Sequence, residues 1–269
     1  MPGPRIFGIV NVTRDSFSDG GCYVSAEAAI AHAERLRQSG ADVLDVGAES
    51  THPDAEDVSA GDEIRRLAPV VGALVAQRVA VSIDTSKPQV MRAMLALGAE
   101  WLNDVNGFRD GDALAVAGGA PVGTRFVVMY SRSQRPRADR AAGATDGLLD
   151  ELRAFFVERR AAFAAVGVAA DRLVFDPGMG FFLGRDARPS LTVLKHLPEL
   201  RAAAGALLVS VSRKSFLGEV TDNPVAQRGA ATLAAELWAV RAGVDCVRTH
   251  DPKALRDALR VHAAIEAAP

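Results

Sequence analysis

The chain has little cysteine. Cys22 and Cys246 are its only two in 269 residues, too few and too widely spaced for a disulfide framework or a cysteine-based metal site. No apolar run approaches the roughly 18 residues that a membrane-crossing helix needs, so no membrane partner is expected. Neither sign of charge is in excess. The 31 Lys and Arg against 33 Asp and Glu leave a formal net charge of −2, which gives no basic footprint for nucleic acid. An anionic ligand must therefore be held by locally placed cations. The opening residues, MPGPRIFGIV, lack the charged start and long apolar core of a signal peptide, and the cytoplasm is the expected compartment. HExxH, CxxC and GxxxxGK patterns are also missing, as is any linker or low-complexity stretch that would divide the chain. What is present is 49% apolar and 24% charged residues, the balance of a globular protein.

Strand-like and helix-like segments alternate from end to end. Eight short apolar runs read as strands: Arg5–Val10, Val43–Gly47, Val79–Asp84, Trp101–Asn103, Thr124–Met129, Leu173–Phe175, Leu207–Val211 and Cys246–Arg248. Continuous rather than alternating apolar runs are the mark of parallel strands covered on both faces. Between them lie stretches with helical spacing: Ala26–Gln38, Asp62–Gln77, Gln89–Leu97, Asp112–Ala117, Leu148–Val166, Leu191–Ala203, Gln227–Arg241 and Pro252–Ala264. Gly40, Gly98, Gly167 and Gly243 follow helix ends, where a left-handed cap residue is wanted. Eight βα units in a chain of this length predict a closed (β/α)8 TIM barrel, a single domain over residues 1–269. An open doubly wound sheet is the fallback.

Polar residues recur immediately after the strands. Asn11 follows the first, Glu49–Ser50–Thr51 the second, Asp84–Thr85–Ser86–Lys87 the third and Asn103–Asp104 the fourth. Asp176 follows the sixth, Ser212–Arg213–Lys214–Ser215 the seventh and Arg248–Thr249–His250–Asp251 the eighth. A barrel brings all of these ends to one face. Any one of them alone is a plausible helix cap, and that reading stays open for Asp84 and Asp176; seven together are hard to assign to capping. Asp84, Asn103 and Asp176 suit a heterocycle rich in N–H donors and ring nitrogens. Lys214, Arg213, Arg248 and His250 supply cations for a phosphate or pyrophosphate. Asn11 offers only an oxygen to a metal, which suits a hard cation such as Mg2+, with pyrophosphate oxygens and waters, better than zinc. The loop after the first strand, NVTRDSFSDGG (11–21), is longer than an ordinary βα connection.

With these residues in place, the chain resembles the dihydropteroate synthases over nearly its whole length. The matching motifs are NVTRDSFSDGG (11–21), ESTHP (49–53), DTSKP (84–88), ND (103–104), DPGMGF (176–181), SRKS (212–215) and RTHD (248–251). The resemblance implies a (β/α)8 barrel. It also implies a Mg2+-assisted reaction joining 4-aminobenzoate to 6-hydroxymethyl-7,8-dihydropterin pyrophosphate, giving dihydropteroate and pyrophosphate. Carried over residue by residue, Asp84, Asn103, Met129, Asp176 and Lys214 match the pterin pocket. Asn11, Arg248 and His250 match the pyrophosphate and metal positions, with Asn11 on the metal, and His52 stands at a further pyrophosphate position. Thr51, Pro53 and Ser212 match residues close to the aminobenzoate. Asp84, Asp176, Lys214 and Arg248 are then the expected catalytic set. Asp15, Phe17 and Ser18 fall in loops that order over the substrates in that family, and a homodimer through helices near the C-terminal part is implied.

Three departures from the family pattern matter. His52 stands where Arg is usual, Tyr130 where His is usual, and the sixth loop reads DPGMGFFLG, gaining bulk and losing a lysine. That loop, with SVSRKSFLG and RTH after it, is similar to the sulfonamide-insensitive dihydropteroate synthases spread by mobile elements. Phe181 or Phe182 is expected beside the aminobenzoate ring, blocking the larger tail of a sulfonamide; packing of both rings in the barrel rim is the plain alternative. Two rival functions share the pocket residues: a pterin-binding methyltransferase domain, which has no need of the SRK and RxH clamp, and a catalytically inactive pterin binder.

Overall fold

The apolar runs become the strands of a parallel barrel. The computed structural model describes residues 3–12, 22–49, 57–133 and 145–269. Its strands are β1 (Arg5–Asn11), β2 (Val43–Gly47), β3 (Val81–Asp84), β4 (Trp101–Asp104), β5 (Arg125–Met129), β6 (Leu173–Asp176), β7 (Leu208–Val209) and β8 (Cys246–Thr249). They hydrogen-bond in the order β6-β5-β4-β3-β2-β1-β8-β7. The circle closes through a parallel bridge between Phe175 and Leu207, with Phe175 N–H donating to Ala206 O at 3.0 Å. This is the (β/α)8 barrel, and the open-sheet fallback is set aside.

Strand periodicity of two divides the barrel interior into layers. Phe7, Val43, Trp101, Val127, Val174, Leu208 and Cys246 pack together as an apolar floor. Phe7 meets the Trp101 ring edge-on at 5.1 Å, and the guanidinium groups of Arg5 and Arg125 each lie 5.4 Å from the Trp101 ring centre. Full burial of each large apolar side chain is worth about 1.5–3 kcal/mol, so the floor is the stable end. Two residues further along the same strands come Asp45, Asn103, Met129, Asp176, Ser210 and Arg248. The chemistry-bearing layer thus stands directly on the hydrophobic one.

The surrounding helices are α1 (Cys22–Gln38), α2 (Ala60–Ala76), α3 (Pro88–Ala96), α4 (Gly111–Gly118), α5 (Leu148–Ala165), α6 (Arg188–Lys195), α7 (Leu197–Ala204), α8 (Ser215–Thr221), α9 (Gly229–Arg241) and α10 (Pro252–Glu266). Ser59, Asp110 and Asp251 cap α2, α4 and α10 through side-chain oxygens that accept main-chain N–H groups. The four glycines expected as left-handed caps have φ of 97°, 101°, 80° and 87° in chain order.

Two differences from the expected elements have local causes. The single helix expected over Leu191–Ala203 is two, α6 and α7, meeting at His196. Pro198 lies in the first turn of α7, and proline has no N–H to continue a helix and clashes with the preceding turn. The seventh strand is regular only over Leu208–Val209, and a short helix not read from the sequence, α8, begins just after Lys214. Among the described residues, no helix is long and apolar enough to cross a membrane.

Candidate active site

Five strand ends and the loops after β6 and β7 supply one cavity at the C-terminal mouth of the barrel. Asp84, Asn103, Val105, Met129, Asp176, Met179, Phe182, Ser210, Lys214 and Arg248 line it. The pterin set expected from the sequence, Asp84, Asn103, Met129, Asp176 and Lys214, is therefore together, with Arg248 among it. The capping alternative divides case by case. Asp251 is a true cap. Asp176 accepts the Gly178 N–H through Oδ1 at 2.8 Å. Asp84 caps nothing in α3, whose flanking residue Lys87 makes no side-chain cap; its Oδ2 instead accepts Arg248 Nη2 at 2.7 Å.

Arg248 is also held by a residue the sequence reading missed. Asp45, fully buried in β2, accepts Arg248 Nε at 2.5 Å and Asn103 Nδ2 at 3.0 Å, both through Oδ2. Its Oδ1 has no hydrogen-bond partner among the described residues. The available signal was a lone carboxylate inside the apolar run VLDVG, since an unpaired charge is not tolerated there. Arg248 thus bridges Asp45 and Asp84 in the wall of the cavity.

Three carboxylates, Asp45, Asp84 and Asp176, thus face two cations, Lys214 and Arg248. Burial pushes Asp176 up to about 6, opposed by the Gly178 N–H and the Lys214 charge. Burial likewise raises Asp84 above the usual carboxylate range, with Arg248 pulling it back. Lys214 is brought down to about 8 by burial, against the pull of Asp176. Burial alone would lower Arg248, but Asp45 and Asp84 hold its guanidinium charged. Lys214 Nζ lies 4.8 Å from the Phe182 ring centre, a cation–π distance.

The residues expected to bind the anion form a neighbouring group. Ser212 Oγ lies 2.8 Å from His250 Nδ1 and accepts the His250 main-chain N–H at 3.2 Å. Ser212, expected near the aminobenzoate, thus pairs with a pyrophosphate candidate. His250, expected as a cation, is held neutral: burial, then Arg213, Arg248 and Lys214, bring it down to about 3. Arg213 has a left-handed backbone, φ 59°, an uncommon state for a long side chain. Its N–H donates to Thr232 Oγ1 at 3.0 Å and its carbonyl accepts Arg228 Nη1 at 3.0 Å, so α9 and the segment before it hold that loop.

Asn11 ends β1, exposed, opposite Gly47 in the sheet. Among the described residues no group of three or more His, Cys, Asp and Glu side chains could hold a metal ion. A single amide oxygen at the barrel mouth still fits Mg2+, which keeps most of its waters and binds largely through substrate phosphates. Phe182 is buried against Val105 and Met129, with Phe181 packed partly exposed beside them. Tyr130 faces away from the cavity, packing on Phe155 of α5 at 5.3 Å. Asp15, Phe17, Ser18, Thr51, His52 and Pro53 lie outside the described residues.

Comparison with known proteins agrees with this geometry. The profile of the family described as pterin binding enzyme matches residues 7–250. Dihydropteroate synthase type-2 of Escherichia coli is 47% identical over 262 residues, 97% of this chain and 96% of that protein. Type-3 of Escherichia coli is 42% identical over 262 residues, covering 97% and 99%. The Xanthomonas albilineans dihydropteroate synthase with 4-aminobenzoic acid superposes with a TM-score of 0.90 at 41% identity, covering 99% of this chain and 94% of that one. The same organism's enzyme in complex with 7,8-dihydropteroate gives 0.86 at 39%, covering 99% and 95%.

Proposed function

The chain belongs to the pterin binding enzymes and, among them, to the dihydropteroate synthases, transferases of folate biosynthesis, and on that premise we propose how its barrel mouth runs the reaction. Asp84, Asn103 and Asp176 accept and donate hydrogen bonds around the dihydropterin ring, Met129 forms an apolar wall, and Lys214 bonds a ring acceptor. The single observation that carries this reading is the convergence of Asp84, Asn103, Asp176, Lys214 and Arg248, spread over 165 positions from 84 to 248, on one cavity.

The bond from the pterin methylene carbon to the pyrophosphate oxygen breaks, and the electron pair leaves with pyrophosphate. Positive charge then develops on the pterin, where the surplus carboxylate of the Asp45, Asp84 and Asp176 set stabilises it. Arg248, released from Asp84 by the entering ring, turns its outer guanidinium nitrogens to the leaving group, and Ser212 with neutral His250 offers hydrogen bonds beside it. Mg2+ carried on the pyrophosphate would take the Asn11 side-chain oxygen and neutralise part of the leaving charge; His52 is assigned to the same anion. The amine of 4-aminobenzoate attacks the methylene carbon, forming the C–N bond, and passes its proton to water. An arylamine needs positioning more than a strong base, and that role falls to Thr51, Pro53 and the ring wall of Phe181 and Phe182.

The same wall is the basis for reduced sulfonamide sensitivity, a reading supported by 42% and 47% identity to type-3 and type-2 synthases. The chain is read as a single domain in the cytoplasm, assembled as a homodimer. Exposed Trp238, Val261 and Ile265 on α9 and α10 are suited to a second copy, and sedimentation equilibrium measures it. The methyltransferase reading has no use for the cations beside the cavity.

The test is formation of 7,8-dihydropteroate from both substrates with Mg2+. Asp84→Asn and Asp176→Asn are expected to abolish product while keeping the native melting temperature. Native turnover in both would remove the two carboxylates from the site, and tight pterin binding without any product would identify an inactive binder.

A further inference from the structure

The segment after β5 is fastened to the loop after β6 at four points. Tyr130 N–H donates to Asp176 O at 2.8 Å, and Arg132 N–H to Phe182 O at 3.0 Å. Arg132 Nη1 reaches Leu183 O at 3.2 Å. At Gly178, where φ is +72°, a β-carbon would collide with the Tyr130 carbonyl oxygen; only glycine permits this main-chain approach. Residues 130–132 are therefore one of the anchors of residues 176–183, a second being Ser190, whose Oγ accepts the Gly180 N–H at 2.8 Å.

Arg132 is in turn set by α5. Its Nε and Nη2 each lie 3.0 Å from a carboxylate oxygen of Glu151, the two-pronged geometry that only a guanidinium provides. Tyr130 Oη donates to the same carboxylate at 2.5 Å. The phenol remains a donor at neutral pH, since burial and then the Glu151 carboxylate push it up to about 12. Phe155 supports the tyrosine ring at 5.3 Å, and the Arg109 guanidinium lies 5.9 Å from its centre. An exposed ion pair by itself contributes little. This one has a further consequence, because Nη1 of the same guanidinium holds the Leu183 carbonyl next to Phe182, whose ring touches Lys214 and Met129.

We propose that Arg132 is a positioning residue for arylamine selectivity: braced by Glu151 and Tyr130, it holds the main chain at Phe182 and Leu183 so that the ring wall stands where the tail of a sulfonamide would pass. This rests on the reading that Phe181 and Phe182 border the aminobenzoate. Arg132 acts through the loop, not on the substrate. Tyr130, the departure from the usual histidine, belongs to this brace and not to the pocket.

The experiment compares the inhibition constant of a sulfonamide with the KM for 4-aminobenzoate. In Arg132→Met and Glu151→Gln the ratio of the two is expected to fall about tenfold, the scale of one lost charge-assisted contact. The KM for the dihydropterin pyrophosphate, whose pocket Phe182 also lines, should change by less than the ratio does, which a general loosening of the barrel would not allow. Phe181→Ala and Phe182→Ala separate the two layers of the argument. If either lowers the ratio while Arg132→Met and Glu151→Gln leave it native, the brace is overturned and the ring wall stands. If neither phenylalanine variant changes it, the ring-wall reading is overturned, and the selectivity role of Arg132 with it. Should Arg132→Met fail to fold, Glu151→Gln and Arg132→Lys decide, because one ammonium cannot span both Glu151 and the Leu183 carbonyl.

Discussion

Asp45 Oδ2 lies 2.5 Å from Nε of Arg248, a residue 203 positions further along the chain. The contact joins β2 to β8 across the barrel interior and leaves Nη2 to donate to Asp84 Oδ2 at 2.7 Å. When a pterin ring claims Asp84, Asp45 is the carboxylate that keeps Arg248 paired. Asp45→Asn removes that charge with little change of shape, so Arg248 then competes with the ring for Asp84. The expected result is a KM for the dihydropterin pyrophosphate raised about tenfold, with a change below about twofold for 4-aminobenzoate. Steady-state kinetics with each substrate varied checks it.

Arg248→Ala should lose pyrophosphate binding and turnover together. It should also destabilise the fold by about 3–5 kcal/mol, because Asp45 is left as an uncompensated buried charge. The double variant Asp45→Asn with Arg248→Met should recover much of the melting temperature and none of the activity. Calorimetric melting and turnover of the same samples separate the two effects.

The pH dependence of kcat/KM follows from the buried pair beside the ring. Asp176 must be ionised to accept N–H groups, and with its value at about 6 activity should fall as pH drops through 6. Lys214 must be charged, and with its value at about 8 activity should fall again above 8. Lys214→Arg should shift the alkaline limb upward, since guanidinium keeps its proton. A flat profile from pH 5 to about 9 would contradict both assignments.

Glu236 in α9 offers a stability test away from the chemistry. It is 1% exposed, with Oε1 lacking a hydrogen-bond partner among the described residues. Burial pushes it up to about 7 from the ordinary 4.5, against a hydrogen bond with Thr249. A carboxyl raised on folding stabilises while it holds its proton; that contribution is complete below about 4.5 and is lost as pH rises through about 7. Glu236→Gln imitates the protonated form. It should therefore raise stability by about 2 kcal/mol at pH 8 and change little at pH 5, read from melting temperatures at the two pH values.

The barrel was legible because parallel strands buried on both faces leave unbroken apolar runs, and because the polar residues cluster at one end of them. Asp84, Asn103, Asp176, Lys214 and Arg248 were found by that placement. Asp45 was not, since a single aspartate within VLDVG looks like part of a strand until its partner on β8 is brought alongside. Helix breaks such as that at His196 depend on one proline inside a pattern that otherwise continues. The neutral state of His250 arises from burial and then from Arg213, Arg248 and Lys214, surroundings that only the folded chain assembles. Tyr130 differs in another way: its residue type was noticed, but its direction, toward Glu151 and not the cavity, is a property of the packing against α5.

Release of pyrophosphate from 6-hydroxymethyl-7,8-dihydropterin pyrophosphate, measured with Mg2+ in the presence and absence of 4-aminobenzoate, tests the central claim most directly. The account predicts turnover that requires the arylamine, yields dihydropteroate in equal amount, and disappears in Arg248→Ala. Absence of release with both substrates present, or release of equal rate in Arg248→Ala, would contradict it.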